Sequence, residues 1–203
     1  MKITVLGTGG AAKTLAGGLI AAGHSVVFGS RDPSGKTDLP APVLPVLEST
    51  EGAELVISAI IGTAALEALK NYESALAGHV LLDISNAVVP SFDLLYPTGS
   101  LAQRIQDALP QTRVVKSLNT LNLGTLVNPD VLPAPTHLFL SGDDNDAKSL
   151  VSGVLTSLGW PTDQQIDLGG IETAKAQEHY FLLYFGLFRR AMKACNIAVV
   201  YAD

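Results

Sequence analysis

Cysteine pairs and clustered metal ligands are missing from this 203-residue sequence. Its one cysteine, Cys195, cannot form an internal disulfide, and its cysteine and four histidines form no metal-ligand run. We therefore expect no metal site and no chemistry by a thiol or by zinc. A free cysteine without disulfides is typical of the reducing cytoplasm, which is the location that we expect.

Basic residues and long apolar segments are also scarce. Lys and Arg number 13 against 19 Asp and Glu, which gives a formal net charge of −6 at pH 7. Proteins that bind nucleic acids or anionic membranes usually present a basic face, so we expect no nucleic-acid and no membrane partner. The apolar segment 180–188 stops at Arg189, well short of the roughly 18 residues that a membrane-spanning helix needs. Residues 1–7 lack the basic and apolar regions of a signal peptide.

Apolar runs and helix-forming stretches alternate along the chain. The runs are continuously apolar, which indicates parallel strands that helices cover on both faces. We predict strands at 3–6, 24–29, 54–60, 79–84, 112–116, 136–141 and 164–167. We predict helices at 11–22, 64–77, 100–109, 144–158 and 171–194, with at most an interrupted helix at 43–49.

This order of elements predicts an α/β fold. We expect a Rossmann-like, doubly wound, mostly parallel sheet with a small C-terminal strand and helix extension. The length suits one domain over 1–203, with a core at about 1–135 and the extension at about 136–203.

A glycine-rich turn joins the first predicted strand to the first predicted helix. It has the form G-x-G-x-x-A and consists of Gly7, Thr8, Gly9, Gly10, Ala11 and Ala12. In this pattern the first glycine makes a tight turn, the second lets the backbone approach a pyrophosphate, and the alanine allows close packing of helix on strand. The helix N-terminus offers free N–H groups to the phosphates. The context predicts dinucleotide binding, and the alternative is a turn that serves packing alone.

The end of the second predicted strand distinguishes NADP from NAD. An NAD-binding chain would carry an acid there for the ribose 2′-hydroxyl, whereas this chain has Ser30 and Arg31. A hydroxyl and a guanidinium can both donate hydrogen bonds to a 2′-phosphate, so we predict NADP(H) as the cofactor. The alternative is that Arg31 is an exposed loop cation and that Asp32 serves the ribose.

Several segments, taken in order, resemble the NADPH-dependent deazaflavin-coenzyme reductases and their relatives. The matching segments are 7–10, 23–24, 29–31 with Lys36, 114–120, 142–144 with 147–148, 158–160, and 167–175 with Glu178. The resemblance covers nearly the whole chain. It implies a Rossmann domain that binds NADPH across the strand ends and passes a hydride to a deazaflavin ring.

The same resemblance implies roles for individual residues. Thr8, Ser30, Arg31 and Lys36 would hold NADP, and Ala59 and Ile60 would meet the adenosine and the nicotinamide ribose. Asn86 lies in a segment that reads Asn-Pro in relatives, and this chain departs from that pattern because Ala87 follows Asn86 in the loop on the nicotinamide side. Asn119 would lie beside the nicotinamide or its acceptor.

Hydride transfer between two stacked rings needs alignment and exclusion of water, not a strong protein acid. We therefore predict no certain catalytic residue, with Asn119 the nearest candidate. A carbonyl reductase must protonate an alkoxide, but the Tyr-x-x-x-Lys spacing of short-chain dehydrogenases is absent, since Tyr184 follows Tyr180 at that interval. Lys116 could serve function or a structural contact equally well. The run of acidic residues at 143–146 is interpreted as helix capping.

Three functions follow from these observations. The leading one is a hydride-transferring oxidoreductase that uses NADP(H) and a small-molecule redox acceptor, a deazaflavin or flavin-like ring. The alternatives are an NADPH-dependent reductase of a small imine or carbonyl, with Tyr180 or His179 as proton donor, and a non-catalytic NADP(H)-binding module that senses redox state. Segment 180–188 is apolar on every side of a helix. It is expected to be buried, either inside the chain or, as we favour, in a homodimer.

Overall fold

The chain folds around a six-stranded sheet in this computed structural model, which describes residues 1–36 and 38–202. The strands of the main sheet are β1 (Lys2–Leu6), β2 (Ser25–Ser30), β3 (Val43–Pro45), β4 (Leu55–Ser58), β5 (Val80–Asp83) and β6 (Arg113–Lys116). They lie in the order β3-β2-β1-β4-β5-β6, and every pairing is parallel. The predicted Rossmann-like α/β class is therefore confirmed.

Eight helices and a small second sheet complete the described part of the chain. The helices are α1 (Gly10–Ala21), α2 (Val46–Thr50), α3 (Gly62–Lys70), α4 (Glu73–Leu76), α5 (Leu101–Ala108), α6 (Leu123–Leu126), α7 (Asn145–Ser157) and α8 (Ala174–Ala191). The second sheet pairs β7 (Leu138–Leu140) with β8 (Gln165–Asp167) in parallel. An antiparallel bridge between Lys116 and Ser141 joins it to the end of β6.

The middle positions of the strands are mostly apolar because both faces of the sheet are covered. In β4, Leu55 and Ile57 belong to a core that also contains residues of α1 and α7, whereas Val56 belongs to a core that contains residues of α3 and α5. Successive strand residues point to opposite faces. A strand buried on both sides therefore needs an apolar residue at nearly every position.

Two predicted helices differ from the structure, each for a local reason. Segment 43–49 is not an interrupted helix: it forms the edge strand β3 and then enters α2, with Pro45 as the residue between them. Proline lacks an N–H and is tolerated at a sheet edge and before a helix. The helix predicted at 64–77 is divided into α3 and α4, because the Asn71 side chain donates to the carbonyl oxygen of Glu67 (3.0 Å) and closes the last turn of α3.

Side-chain caps begin α5, α6 and α7, and the cap of α7 comes from the acidic run as predicted. The Ser100 hydroxyl accepts from the Gln103 amide at 3.0 Å, and the Asp144 carboxylate accepts from the Ala147 amide at 2.7 Å. Asp143 accepts from the Ile171 amide at 2.8 Å, so the acidic run serves backbone groups. Among the described residues no group of His, Cys, Asp or Glu could hold a metal ion.

The aromatic segment 180–188 lies in α8 and is only partly buried within the chain, which differs from the alternative of full burial inside it. Leu183 and Leu187 are 58% and 50% exposed, whereas Tyr184 is buried. The helix lies at the surface of the C-terminal extension, so part of its apolar circumference faces outward. Within residues 1–36 and 38–202, no helix is long and apolar enough to cross a membrane.

Candidate functional site

A cavity of about 490 Å³ lies at the carboxyl ends of β1, β2 and β4, which is the edge where α/β sheets bind ligands. Eight of the predicted cofactor-binding residues line it: Gly7, Thr8, Gly9, Ser30, Arg31, Lys36, Ala59 and Ile60. Gly10 and Ala11 lie behind this wall at the start of α1, and Ala12 is buried in the core. Asn86 lies at the end of β5, outside the cavity lining.

The glycine-rich turn has the two properties that its sequence pattern requires. Gly7 has a φ of +114°, and a Cβ there would lie 2.6 Å from the carbonyl oxygen of Ala59. Only glycine adopts this backbone at so close an approach without strain. Gly9 precedes α1, and a Cβ on it would have no atom within 4 Å. That open space above the helix N-terminus fits a pyrophosphate.

Three polar side chains converge at the β2 end of the cavity. The Lys36 ammonium donates to the Ser30 hydroxyl at 2.9 Å and to the Thr8 hydroxyl at 3.4 Å. Arg31 is exposed and lines the same cavity. The chain thus places a cation and two hydroxyls together with a guanidinium, the donor set that binds a phosphate dianion.

Asp32 does not turn toward this cluster. Its carboxylate accepts from the hydroxyl and the amide of Ser34, and these hydrogen bonds lower the pKa of the Asp32 carboxyl. The Asp32 carboxylate does not line the cavity, unlike Ser30, Arg31 and Lys36.

Among the wall residues that the sequence analysis did not assign to cofactor binding, four lie together in the chain. They are Glu67, Ala68, Asn71 and Tyr72, at the end of α3 and just beyond it. Because α3 directly follows the fourth strand, the sequence could have indicated that this helix forms a wall of the cavity. It could not have shown which of its side chains reach the cavity.

The two asparagines assigned to the nicotinamide side contact each other. The Asn86 amide donates to the main-chain oxygen of Asn119 at 2.7 Å, and the Asn119 amide donates to the Asn86 side-chain oxygen at 3.0 Å. Asn119 is only 3% exposed, and its own side-chain oxygen is buried without a partner among the described residues. The preceding Leu118 has a left-handed φ of +62°, a strained conformation that concentrates at functional sites.

Lys116 proves to be part of a fully buried ion-pair network beside these asparagines. Its ammonium lies 2.7 Å from Asp83 and 3.3 Å from Glu178, and it also donates to the carbonyl oxygen of Ser85. Burial alone would lower the pKa of Lys116, but the two carboxylates outweigh it, and the net direction is upward. The ammonium therefore stays charged.

The two candidate proton donors of the imine or carbonyl reductase lie in different surroundings. The ring nitrogens of His179 lie 2.8 Å and 3.2 Å from the carbonyl oxygens of Lys175 and Pro97. The Tyr180 ring packs edge-on against Phe139 with ring centroids 6.1 Å apart. Burial, with a contribution from Cys195, raises the pKa of Tyr180 to about 12.

Known proteins with this architecture share both sequence and structure with the chain. Residues 2–87 match the family described as NADP oxidoreductase, coenzyme F420-dependent. A crystal structure from Arthrobacter sp. FB24, provisionally assigned as an F420-dependent NADP reductase, is 34% identical and has a TM-score of 0.92, covering 99% of this chain and 100% of that chain. The chain belongs to this family.

This chain covers very different shares of two curated relatives. The F420-dependent NADP reductase of Methanothermobacter marburgensis is 29% identical over 203 residues, with 88% of each chain covered. Metalloreductase STEAP3 of Rattus norvegicus is 27% identical over 180 residues, which are 87% of this chain. The chain spans only 36% of the length of that metalloreductase.

Membership in the F420-dependent oxidoreductase family confirms the coarse functional prediction. The protein is an NADP-dependent oxidoreductase with a Rossmann-like fold. The identity of the acceptor is a separate question.

Proposed function

We propose that the chain transfers a hydride between NADP(H) and a deazaflavin or flavin-like ring. The observation that carries this proposal is the pair of interlocked amides, Asn86 and Asn119, at the strand ends on the nicotinamide side. Amides can hold and orient a ring system but supply no acid. Hydride transfer between two rings requires only that the rings are aligned and that water is excluded. The name of the Methanothermobacter relative, an F420-dependent NADP reductase, supports the same acceptor.

The cofactor-binding residues divide into groups by the part of NADP that each would contact. Backbone N–H groups from Gly7 to Gly10 would bind the pyrophosphate at the start of α1. Ala11 and Ala12 would let α1 pack closely on the sheet. At the β2 end, the 2′-phosphate binders would be Thr8, Ser30, Arg31 and Lys36.

The remaining groups would contact the riboses and the nicotinamide. Ala59 and Ile60 would lie against adenosine and ribose. The buried, unpartnered oxygen of Asn119 would accept a hydrogen bond from the nicotinamide carboxamide, with Asn86 holding Asn119 in place. NADPH supplies the hydride when bound.

The loop after Asn86 leads to α5 and packs against α8 on its way. Phe92, at its tip, has its ring centroid 4.5 Å from that of Phe185 and 6.4 Å from that of Phe181. Aromatic side chains of this kind are typical of the walls of ring-binding pockets. The alternative acceptors, small imines or carbonyls, require a proton donor. Burial raises the pKa of Tyr180 to about 12, so its hydroxyl is a weaker acid than that of an ordinary tyrosine.

A spectrophotometric assay distinguishes these acceptors. NADPH oxidation is followed by its absorbance with F420, with free flavin, with a panel of imines and carbonyls, and with no acceptor. Turnover with the ring acceptors alone is the expected result. Turnover with imines or carbonyls alone contradicts the proposal, and tight NADPH binding without any turnover would favour the redox-sensing module.

We further propose a homodimer that covers the exposed face of α8. Changing both Leu183 and Leu187 to Glu should convert the dimer to a monomer, because charges would enter an apolar contact. Leu47→Glu is the matched control, since Leu47 is 57% exposed on α2 and Leu183 is 58% exposed. Light scattering of the wild type should give twice the 21.2 kDa chain mass. A wild-type mass of one chain at micromolar concentration would refute the dimer.

The core and the C-terminal extension are proposed to act as one domain over 1–203. This is supported by the bridge from Lys116 to Ser141 and by the contact of Glu178 in α8 with Lys116 in β6. The cytoplasmic location expected from the sequence belongs to the same proposal.

A further inference from the structure

A buried cluster of charges joins three elements beside the site without contacting the dinucleotide cavity. Lys116 ends β6, Asp83 ends β5 and Glu178 lies in α8. All three side chains are at most 2% exposed, and the ammonium lies 2.7 Å from Asp83 and 3.3 Å from Glu178. The hydride transfer proposed above gives none of these groups a chemical step.

On one side, the cluster fixes the turn that leads to Asn86. The Lys116 ammonium donates to the carbonyl oxygen of Ser85, and the Asp83 carboxylate accepts from the Ser85 amide at 3.1 Å. Both polar groups of the Ser85 backbone are thus tied to the cluster. The next residue, Asn86, makes the two hydrogen bonds to Asn119.

On the other side, the cluster fixes α8. The Glu178 carboxylate accepts from the amides of Leu101 (3.0 Å) and Ala102 (3.3 Å), at the start of α5. Gln177 donates to the Ser141 hydroxyl at 2.7 Å and to the carbonyl oxygen of Lys116 at 3.4 Å. Helix α8, whose rings contact Phe92, is therefore held by polar contacts to the same lysine, Lys116.

Such a cluster is a poor device for stability alone. Moving an ammonium and two carboxylates out of water is costly, and apolar residues of similar volume often serve a core as well or better. A fully hydrogen-bonded buried network does, however, specify one geometry. Every partner of the Lys116 ammonium belongs either to the end of β5 and the turn before Asn86 or to α8.

We propose that Lys116 is a positioning residue that holds the pair formed by Asn86 and Asn119 in register with the nicotinamide. This inference rests on the proposed function, because it takes that pair as the nicotinamide contact. Lys116 acts through Ser85 and Asn86 and does not touch the cofactor. Its loss should weaken the nicotinamide half of the binding site and leave the 2′-phosphate half intact, since Ser30, Lys36 and Thr8 lie at the ends of β1 and β2.

The test compares two ligands by calorimetry. Adenosine 2′,5′-bisphosphate carries the 2′-phosphate half of NADP without nicotinamide, and NADPH carries both halves. In Lys116→Met, we expect the bisphosphate Kd to stay within about twofold while the NADPH Kd rises about tenfold, the effect of losing roughly one hydrogen bond. The emission of bound NADPH, which reports the surroundings of its ring, should shift toward that of free NADPH.

Leu155→Ala is the control for general destabilisation, because Leu155 in α7 is fully buried in the core shared with α1 and makes no hydrogen bond or ion pair through its side chain. It should change neither the ratio of the two affinities nor the emission. Glu178→Gln keeps the size of the side chain and removes one charge. It should show the Lys116→Met pattern in weaker form, and it serves as the test if Lys116→Met does not fold.

The outcomes separate this inference from the proposed function. If the wild type prefers NADPH over the bisphosphate and both cluster variants keep that preference and the emission, the positioning role is overturned and the proposed function stands. If the wild type binds the two ligands equally and the emission of NADPH does not change on binding, the nicotinamide is not held at all. Both proposals then fall.

Discussion

Arg31→Ala combined with Lys36→Ala should nearly abolish NADPH binding while leaving the weak affinity for NADH unchanged. Each substitution removes a charged hydrogen-bond donor to the 2′-phosphate. One such contact contributes about 1.5–3 kcal/mol, or roughly 10- to 150-fold in Kd. Arg31→Ala alone should therefore cost about that amount. NADH has no 2′-phosphate, so its Kd reports the rest of the site.

Arg113→Ala is the matched control for lost positive charge. Arg113 is also exposed but begins β6 at the opposite edge of the sheet, where it donates to the carbonyl oxygen of Gly78. Isothermal calorimetry with NADPH and NADH on all variants decides the question. If Arg31→Ala keeps the wild-type NADPH Kd and still excludes NADH, Arg31 is not a phosphate ligand. A wild type that binds NADH as tightly as NADPH would remove the basis for the whole assignment at β2.

Gly7→Ala and Gly9→Ala should fail in different ways, although the two positions are two residues apart. At Gly7 a methyl group would lie 2.6 Å from a backbone oxygen on a residue with a φ of +114°. Backbone strain and overpacking together should lower the free energy of unfolding by about 2–5 kcal/mol. Gly9→Ala meets no atom within 4 Å and has an ordinary φ of −79°. Its stability loss should be about 1 kcal/mol, from the poorer N-cap.

Gly9→Ala should instead lose dinucleotide affinity. The added methyl group would occupy the space where the backbone approaches the pyrophosphate. Weakening one hydrogen bond to a charged phosphate costs about 1.5–3 kcal/mol, so we expect the NADPH affinity to fall by at least about 10-fold. Urea unfolding and NADPH titration on both variants measure the two effects. Wild-type NADPH affinity in Gly9→Ala would place the pyrophosphate elsewhere, and wild-type stability in Gly7→Ala would contradict the close approach to Ala59.

The fold could be predicted because its signals are local. The middle positions of the main-sheet strands are mostly apolar, and the glycine-rich turn lies between β1 and α1. Ser100 and Asp144 mark helix starts, because each side chain accepts a hydrogen bond from the amide three residues further along the chain. The segment around Pro45 could not be predicted as a strand, because its pairing with β2 depends on an edge position that sequence does not show. Likewise, the end of α3 depends on where the Asn71 side chain turns.

The candidate site was predicted only where its residues share a segment. Ser30, Arg31 and Lys36 follow one strand, and the structure brings them together with Thr8. The contact of Asn86 with Asn119 spans 33 residues, as does that of Asp83 with Lys116. The sequence could identify both asparagines only by resemblance. The partners of Lys116 could not be predicted from the sequence. The register of β5 beside β6 places Asp83 at its ammonium, and the position of α8 places Glu178 there.

The strand order separates the two ends of the site. β2, with the residues assigned to the 2′-phosphate, and β5 with β6, which carry the asparagines, lie on opposite sides of the central pair β1 and β4. In the proposed arrangement, residues 30–36 thus form a compact module that sets cofactor preference. An engineer could exchange that module to obtain an NAD-dependent variant without redesigning the half of the protein where the reaction takes place.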